Sequence, residues 1–586
     1  MLANTIRLLP LAVALLASTA VAKPADDLQG VITDHWKWWL SINPVQATSL
    51  GVRDFDDQLR DISLAEQDRE GKTAQMFLDR LTGIPNAELP EVDLTNKGVL
   101  MRMLSDQVEG NRYGERMMLF TTYDGWHQSF AGMADNLPFR TRADYESYLK
   151  RLALYPKLNG EAIAISRQAL GKGFVQPCDA MAGFEDTITG VVAGKPEDTR
   201  FFGPFNRARP LDVNDTEWIA MKIRAISLIR DVVAPEYGKF AQFYRTEYKP
   251  KCRKTVGASA MPGGAAWYAF QARSHTTTAL TPEQIHTIGL SEVARIRAEM
   301  VSISTDAGYP NREAFIAKLR TDPAYFAKTP DELMAAASRV AKHIDGKMPA
   351  FFGKLPRLPY GVREIPKETA ETTTTAYYNP GSPESGIAGS YYVNTSKLNQ
   401  RPLWELPALT AHEAVPGHHN QIALQQELAL PAFRKNAAGF TAFVEGWGLY
   451  SEHLGIEMGL YDTPEKNMGR LSYEMWRACR LVVDTGMHAK GWTKAQAVAF
   501  MRDNSALSDA NIEAEVNRYI GWPGQALGYK LGELKFRELR ALAEKELGPK
   551  FDVRRFHDAA LGQGPVPLDV LERQINAWIK VEKARN

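Results

Sequence analysis

Three histidines and a glutamate fall within eight residues, in Ala411-His412-Glu413-Ala414-Val415-Pro416-Gly417-His418-His419. Imidazole nitrogens bind zinc, and a glutamate beside the first histidine of such a pair draws the proton from a metal-activated water. The usual second histidine stands at i+4, one helical turn on. Here that position is Pro416, which carries no donor atom. His418, at i+6, lies about 120° round a straight helix from His412, and His419, at i+7, lies about 10 Å along its axis. Neither separation suits one ion with nitrogens about 2.0–2.1 Å away. Pro416, however, lacks an N–H and clashes with the carbonyl of residue i−4, which is His412 itself, and Gly417 tolerates the backbone that results. A helix bent there returns His418 to the side of His412. The expectation is therefore His412 and His418 as ligands and Glu413 as general base. His419 is the alternative second ligand, and otherwise a neighbour that supports them.

Catalytic zinc keeps three protein ligands and an open position, and in thermolysin-like sites the third is a glutamate. Glu445 opens the next helical run among apolar neighbours, where an unpaired carboxylate is costly, and is the expected third ligand. Glu452, two turns on along the same face, is placed to hold a ligand imidazole. Asp484 and His488 are one turn apart and share a face with Arg480. They read equally as a group that orients a substrate carboxylate or oxyanion and as a buried polar network. Tyr529 and His557 are candidate oxyanion donors on the same even terms, with Gln525 behind them. The run Gly389-Ser390-Tyr391-Tyr392-Val393-Asn394 reads as an edge strand on which an extended peptide can pair. Its plain alternative is a structural hairpin.

Several stretches together resemble the bacterial "domain of unknown function 885" family. They are His-Glu-Ala-Val-Pro-Gly-His-His-Asn-Gln (412–421), Glu-Gly-Trp-Gly-Leu-Tyr-Ser-Glu (445–452), Arg-Leu-Val-Val-Asp-Thr-Gly-Met-His (480–488), Pro-Gly-Gln-Ala-Leu-Gly-Tyr-Lys-Leu-Gly (523–532) and Phe-His-Asp-Ala-Ala-Leu-Gly-Gln-Gly-Pro-Val-Pro-Leu (556–568). The resemblance covers nearly all of the chain after residue 22. It implies a helical, exported protein grouped with thermolysin-like metallopeptidases, and it favours His418 over His419 as ligand.

The elements that must position these residues are mostly helices. Apolar residues recur at three and four through 142–170, 216–246, 281–304, 331–345, 402–429, 437–459, 465–490, 494–503, 508–545 and 567–584. Thr281-Pro282-Glu283 is a clear helix start. Strand signal is confined to 372–395, where two β-branched or aromatic runs flank a Pro/Gly/Ser-rich turn, a predicted hairpin. The expected fold is mainly α with this small β-element beside the active-site helix, in an N-terminal lobe (about 23–370) and a C-terminal catalytic lobe (about 371–586).

Composition excludes some partners. Lys plus Arg is 70 against Asp plus Glu 69, so there is no field to attract nucleic acid. Three cysteines allow one disulfide at most, and Cys178 and Cys252, both in loop-like sequence beside proline, are the pair an oxidising compartment would permit. No Gly-x-Ser-x-Gly elbow or phosphate loop is present. The expected function is a zinc-dependent hydrolase of peptide or related amide bonds with one Zn2+ per chain. Its rival is a non-catalytic periplasmic metal- or peptide-binding protein. Met1–Ala22 has a positive residue, Arg7, an apolar run from Leu8 to Ala17 and an Ala-Val-Ala end. It reads as a signal peptide, too short to span a bilayer, with no cysteine nearby for a lipid anchor. Mass spectrometry of the periplasmic protein should find the mature N-terminus at or near Lys23, and recovery of uncleaved chain in membranes would refute the signal peptide.

Overall fold

The computed structural model describes residues 23–121, 124–371, 373–383 and 386–585. The predicted signal peptide, Met1–Ala22, lies outside the described residues. The fold is mainly α with one small sheet, as the sequence predicts. Helix starts follow local chemistry. Thr281 Oγ1 accepts from Gln284 N–H while the Gln284 side chain reaches back to Thr281 N–H, a reciprocal cap that opens Pro282–Asp306.

Pro464–Lys490 is the central helix. Thr463 caps it, Pro464 sits in its first turn, and Gly491 ends it at φ 73°. Every residue from Met468 to His488 is buried. A helix buried all round belongs in the middle of a fold, and here it packs against Pro282–Asp306, Leu406–Glu413, Thr441–Leu454, Lys494–Asn504 and Leu527–Leu547. Glycine permits the closest approaches. A Cβ on Gly289 would stand 2.7 Å from Leu481 Cβ, and one on Gly532 would stand 1.9 Å from the Ala442 carbonyl oxygen.

The hydrophobic clusters do not divide near residue 370. Leu28, Leu81 and Leu100 share one cluster with Ala411, Trp447, Phe536 and Ile575. A second joins Val293 and Phe315 to Leu409, Val482 and Tyr519. The aromatic-rich cluster of residues 120–248 and a smaller one of residues 117–268 are confined to the N-terminal part.

The predicted hairpin is present as β2 (Ala376–Asn379) and β3 (Gly389–Val393), paired antiparallel with Tyr377 opposite Tyr392. A third strand, β1 (Tyr360–Glu364), pairs parallel with β3, so the order is β1-β3-β2. This corrects the reading of 389–394 as a peptide-binding edge: β3 is the middle strand, and its ladder groups are already bonded on both sides. Gly389, Ser390, Tyr391 and Val393 are buried. The Tyr391 hydroxyl is 3.3 Å from Thr410 Oγ1, Tyr392 stacks on Tyr377, and Asn394 Nδ2 donates to the carbonyls of Ala370, Thr373 and Thr374. These residues build the sheet.

Among the described helices none is long and apolar enough to cross a membrane. Cys178 and Cys252 form a disulfide spanning 74 residues, and Cys479 is a buried free thiol. Burial pushes the Cys479 thiol up to about 12, leaving it unreactive. Closing a loop of 74 residues removes unfolded-chain entropy worth about 4 kcal/mol. The double variant Cys178→Ser/Cys252→Ser should lose stability of that order in denaturant titrations; an unchanged midpoint would show that the loop is restrained without the bond.

Candidate metal centre

His412 lies in the last turn of the helix Leu406–Glu413. The chain leaves that helix at Ala414 (φ −98°, ψ −108°), passes a cis Val415–Pro416 peptide and re-enters a helix at His418 with Gly417 as its cap. The single bent helix expected over 402–429 is thus two helices with a tight connection. The break, rather than a kink, removes the 120° problem. The rings of His412 and His418 are 4.7 Å apart at 85°.

Two contacts of close approach set the connection. A Cβ on Gly417 would fall 1.9 Å from the His412 carbonyl oxygen, and one on Gly448 would fall 2.6 Å from His412 Cε1. Only glycine leaves room for the chain at the first and for the imidazole at the second. Trp447 Nε1–H donates to the Pro416 carbonyl at 2.9 Å, tying the connection to the helix Thr441–Leu454, which also carries Glu445 and Glu452.

Glu445 Oε2 is 3.5 Å from His412 Nε2 and 3.5 Å from His418 Nε2. That is long for a hydrogen bond. It is close to the roughly 3.3 Å that two ligands keep from each other on a tetrahedral zinc. His412, His418 and Glu445 each offer a ligand atom, all within 4.8 Å of one another. Behind them, His412 Nδ1–H donates to Glu452 Oε1 at 2.8 Å, and Arg477 Nη2 is 3.3 Å from the same oxygen. A carboxylate can only accept, so this bond fixes a proton on Nδ1 and turns Nε2 toward the cluster. Burial works against a charged His412, but Glu445, Glu452 and Glu413 overcome it and raise its pKa to about 9. Burial likewise opposes the Glu445 charge, yet the two imidazoles hold its carboxyl well below the usual range. A buried site with this much negative charge favours a cation.

His419 turns away from the cluster. Its Nδ1 is 3.0 Å from the Tyr378 hydroxyl, its ring lies against Tyr360, and burial pushes it down to about 4. Glu413 is half-buried beside His412. Tyr529 stands where the helix Leu527–Leu547 crosses Thr441–Leu454, with Gly528 against Thr441 and Ala442 and Gly532 against Gly446. Burial and then the Glu445 charge raise its phenol. Arg480 lies 4.2 Å over the Tyr529 ring and bonds Tyr519 and Glu515. Gln525 Oε1 accepts from Arg518 Nη1 at 2.6 Å.

Two histidines expected to act chemically do not reach the cluster. His488 accepts from Ala258 N–H at Nδ1 and bonds the Tyr519 carbonyl through Nε2. His557 bonds the Phe351 carbonyl and the Tyr450 hydroxyl. Both have each ring nitrogen occupied, and burial pushes both down to about 3, so they tie helices together as neutral imidazoles. Asp484 does not pair with His488 but accepts from Tyr268 Oη and Gly524 N–H. The sequence reading missed Arg477, Trp447 and Gly448. Arg477 had a visible signal, an arginine within an apolar helix.

Gly417→Ala and Gly448→Ala should each destabilise the protein by about 1–3 kcal/mol, the cost of overpacking a filled interior. Gly439, where an added Cβ would meet no heavy atom within 4 Å, is the control whose change to Ala should alter little. Denaturant melts of the three variants compare them, and equal behaviour would mean that the connection relaxes freely.

Among solved structures, a protein of Colwellia psychrerythraea described as a "putative lipoprotein" shares this fold with TM-score 0.86 and 27% identity, over 96% of this chain and 100% of that one. A Shewanella oneidensis protein, described as a "putative lipoprotein of unknown function", aligns with TM-score 0.73 at 19% identity, over 95% of this chain and 100% of its own, and shows the fold alone. No curated protein matches the chain. The family model described as "Bacterial protein of unknown function (DUF885)" matches residues 44–575, and the chain belongs to that family.

Proposed function

We propose that the protein is an exported zinc-dependent hydrolase of peptide or related amide bonds. The observation that carries this is the spacing of His412 Nε2, His418 Nε2 and Glu445 Oε2, three donors of the set zinc favours, with Glu413 adjacent. Zinc bound there would acidify a water and polarise the substrate carbonyl. Glu413 takes the proton of the attacking water and returns it to the leaving amine. Tyr529, whose phenol feels the Glu445 charge, would donate to the developing oxyanion. Glu452, itself held by Arg477, keeps the His412 imidazole oriented. Export is supported by the leader-like first 22 residues, by the Cys178–Cys252 disulfide in keeping with an oxidising compartment, and by the lipoprotein description of the Colwellia relative.

The rival, a metal- or peptide-binding protein without turnover, has no use for Glu413. Metal analysis of the purified protein should return about one zinc per chain, lost in His412→Ala, His418→Ala and Glu445→Ala and kept in His419→Ala. Glu413→Gln should keep zinc and fold but lose about 10²–10⁴-fold in peptide hydrolysis. Zinc retained in all the ligand variants would refute the site. Absence of chelator-sensitive hydrolysis across a peptide library would favour the rival.

A further inference from the structure

Beside the metal centre, positive charge exceeds negative. Arg480 and Arg518 share one carboxylate. Glu515 Oε2 accepts from Arg480 Nη2 at 3.0 Å and from Arg518 Nη2 at 3.2 Å, and Glu515 Oε1 accepts from Arg518 Nε at 3.3 Å. Tyr519 adds a hydroxyl to this group but no charge. The other acid on this face, Asp484, is spent on Tyr268 and Gly524, and burial pushes its carboxyl up to about 7, so it is only partly ionised near neutrality.

Arg480 is 3% exposed, and its remaining nitrogen, Nη1, has no hydrogen-bond partner among the described residues. A buried guanidinium N–H without an acceptor is costly and asks for a ligand. The geometry restricts what that ligand is. The rings of Trp476 and Tyr529 lie 4.6 Å and 4.2 Å from the guanidinium, and Nε and Nη2 are already bonded. Of the five guanidinium N–H groups three remain, two on Nη1 and one on Nη2, and the adjoining Nη1–H and Nη2–H form an in-plane pair. Tyr529 connects this edge to the metal centre, since its own helix crosses the Glu445 helix there. Gln525, one turn before Tyr529, is fixed by Arg518 and lines a cleft of about 660 Å3 walled also by Trp267, Gln271 and His275.

Resting on the hydrolase reading above, we propose that Arg480, with Gln525 and the surplus charge of Arg518 behind it, is the subsite for a carboxylate of the peptide substrate. The enzyme thereby prefers peptides carrying an anionic group close to the bond that is cleaved. A carboxylate supplies two acceptor oxygens and one negative charge, matching the free edge between Nη1 and Nη2 and the excess positive charge. It comes either from the free C-terminus or from an acidic side chain.

The test uses three short peptides of one sequence: the free acid, its C-terminal amide, and the amide with a glutamate beside the C-terminus. Calorimetry measures their binding to the zinc-loaded Glu413→Gln protein, which does not turn them over, and the wild type supplies hydrolysis rates. The free acid should bind about tenfold or more tightly than the plain amide. Arg480→Met should erase that difference, so that the free acid and the plain amide bind alike. If the glutamate-bearing amide recovers the affinity, the carboxylate comes from a side chain; if only the free acid binds well, it is the C-terminus. Either result supports the subsite. Equal binding of all three peptides overturns it, and that comparison stands even if Arg480→Met does not fold. A carboxylate preference without hydrolysis would refute the hydrolase and keep the subsite, whereas hydrolysis without preference would do the reverse.

Discussion

A fully buried helix that carries charges at nearly every turn has to find a partner for each, and this requirement organises the molecule. Along Pro464–Lys490 the polar residues Arg470, Glu474, Arg477, Arg480, Asp484 and His488 follow one another at three or four, and all are buried. Each binds a different element. Glu474 meets Lys530 Nζ at 2.9 Å, and the same ammonium is held by Glu292 at 3.0 Å and Glu533 at 2.7 Å. Arg477 takes Glu452, Arg480 takes Glu515, Asp484 takes Gly524, and His488 takes Ala258. Buried ion pairs bring little net stability, yet breaking one leaves an uncompensated charge worth several kcal/mol. Their effect here is to fix the rotation and height of the central helix against its neighbours.

The candidate metal centre inherits that precision. Glu452 is gripped by Arg477 of the central helix on one side and grips His412 on the other, so the orientation of the imidazole is set two residues away from the ligand. Glycines at 417 and 448 then let backbone and ring approach within distances no side chain would allow. Rigidity of this kind holds the donor atoms of His412, His418 and Glu445 at the spacing that one ion would need.

Much of this was legible in the sequence, for reasons that also explain what was not. His412, Glu413, His418 and Glu445 stood out because donor residues were clustered where helical spacing made no sense of them without a break at Pro416. The form of that break was invisible, because it depends on Gly417 passing over the His412 carbonyl and on Trp447, which lies on another helix. His488 and His557 misled because type and neighbourhood were readable but tertiary partners were not; an imidazole with both nitrogens bonded to carbonyl, amide or hydroxyl groups looks in sequence like one with a free lone pair. β3 was read correctly as a strand and wrongly as an edge. Tyr360–Glu364, short and containing glycine, gives almost no strand signal, and its pairing with Gly389–Val393 is parallel and therefore distant in sequence.

The interleaved hydrophobic clusters bear on how such a chain is made. Leu28 and Leu81 share a core with Trp447 and Ile575, so the first helices to leave the ribosome, which pack on one another, complete their core only when the last ones exist. Contacts of such long range are slow to form. The candidate ligands His412, His418 and Glu445 are likewise separated from the segment around Tyr529 until late in synthesis. A chain wired in this way closes its largest core only when its C-terminal helices have been made.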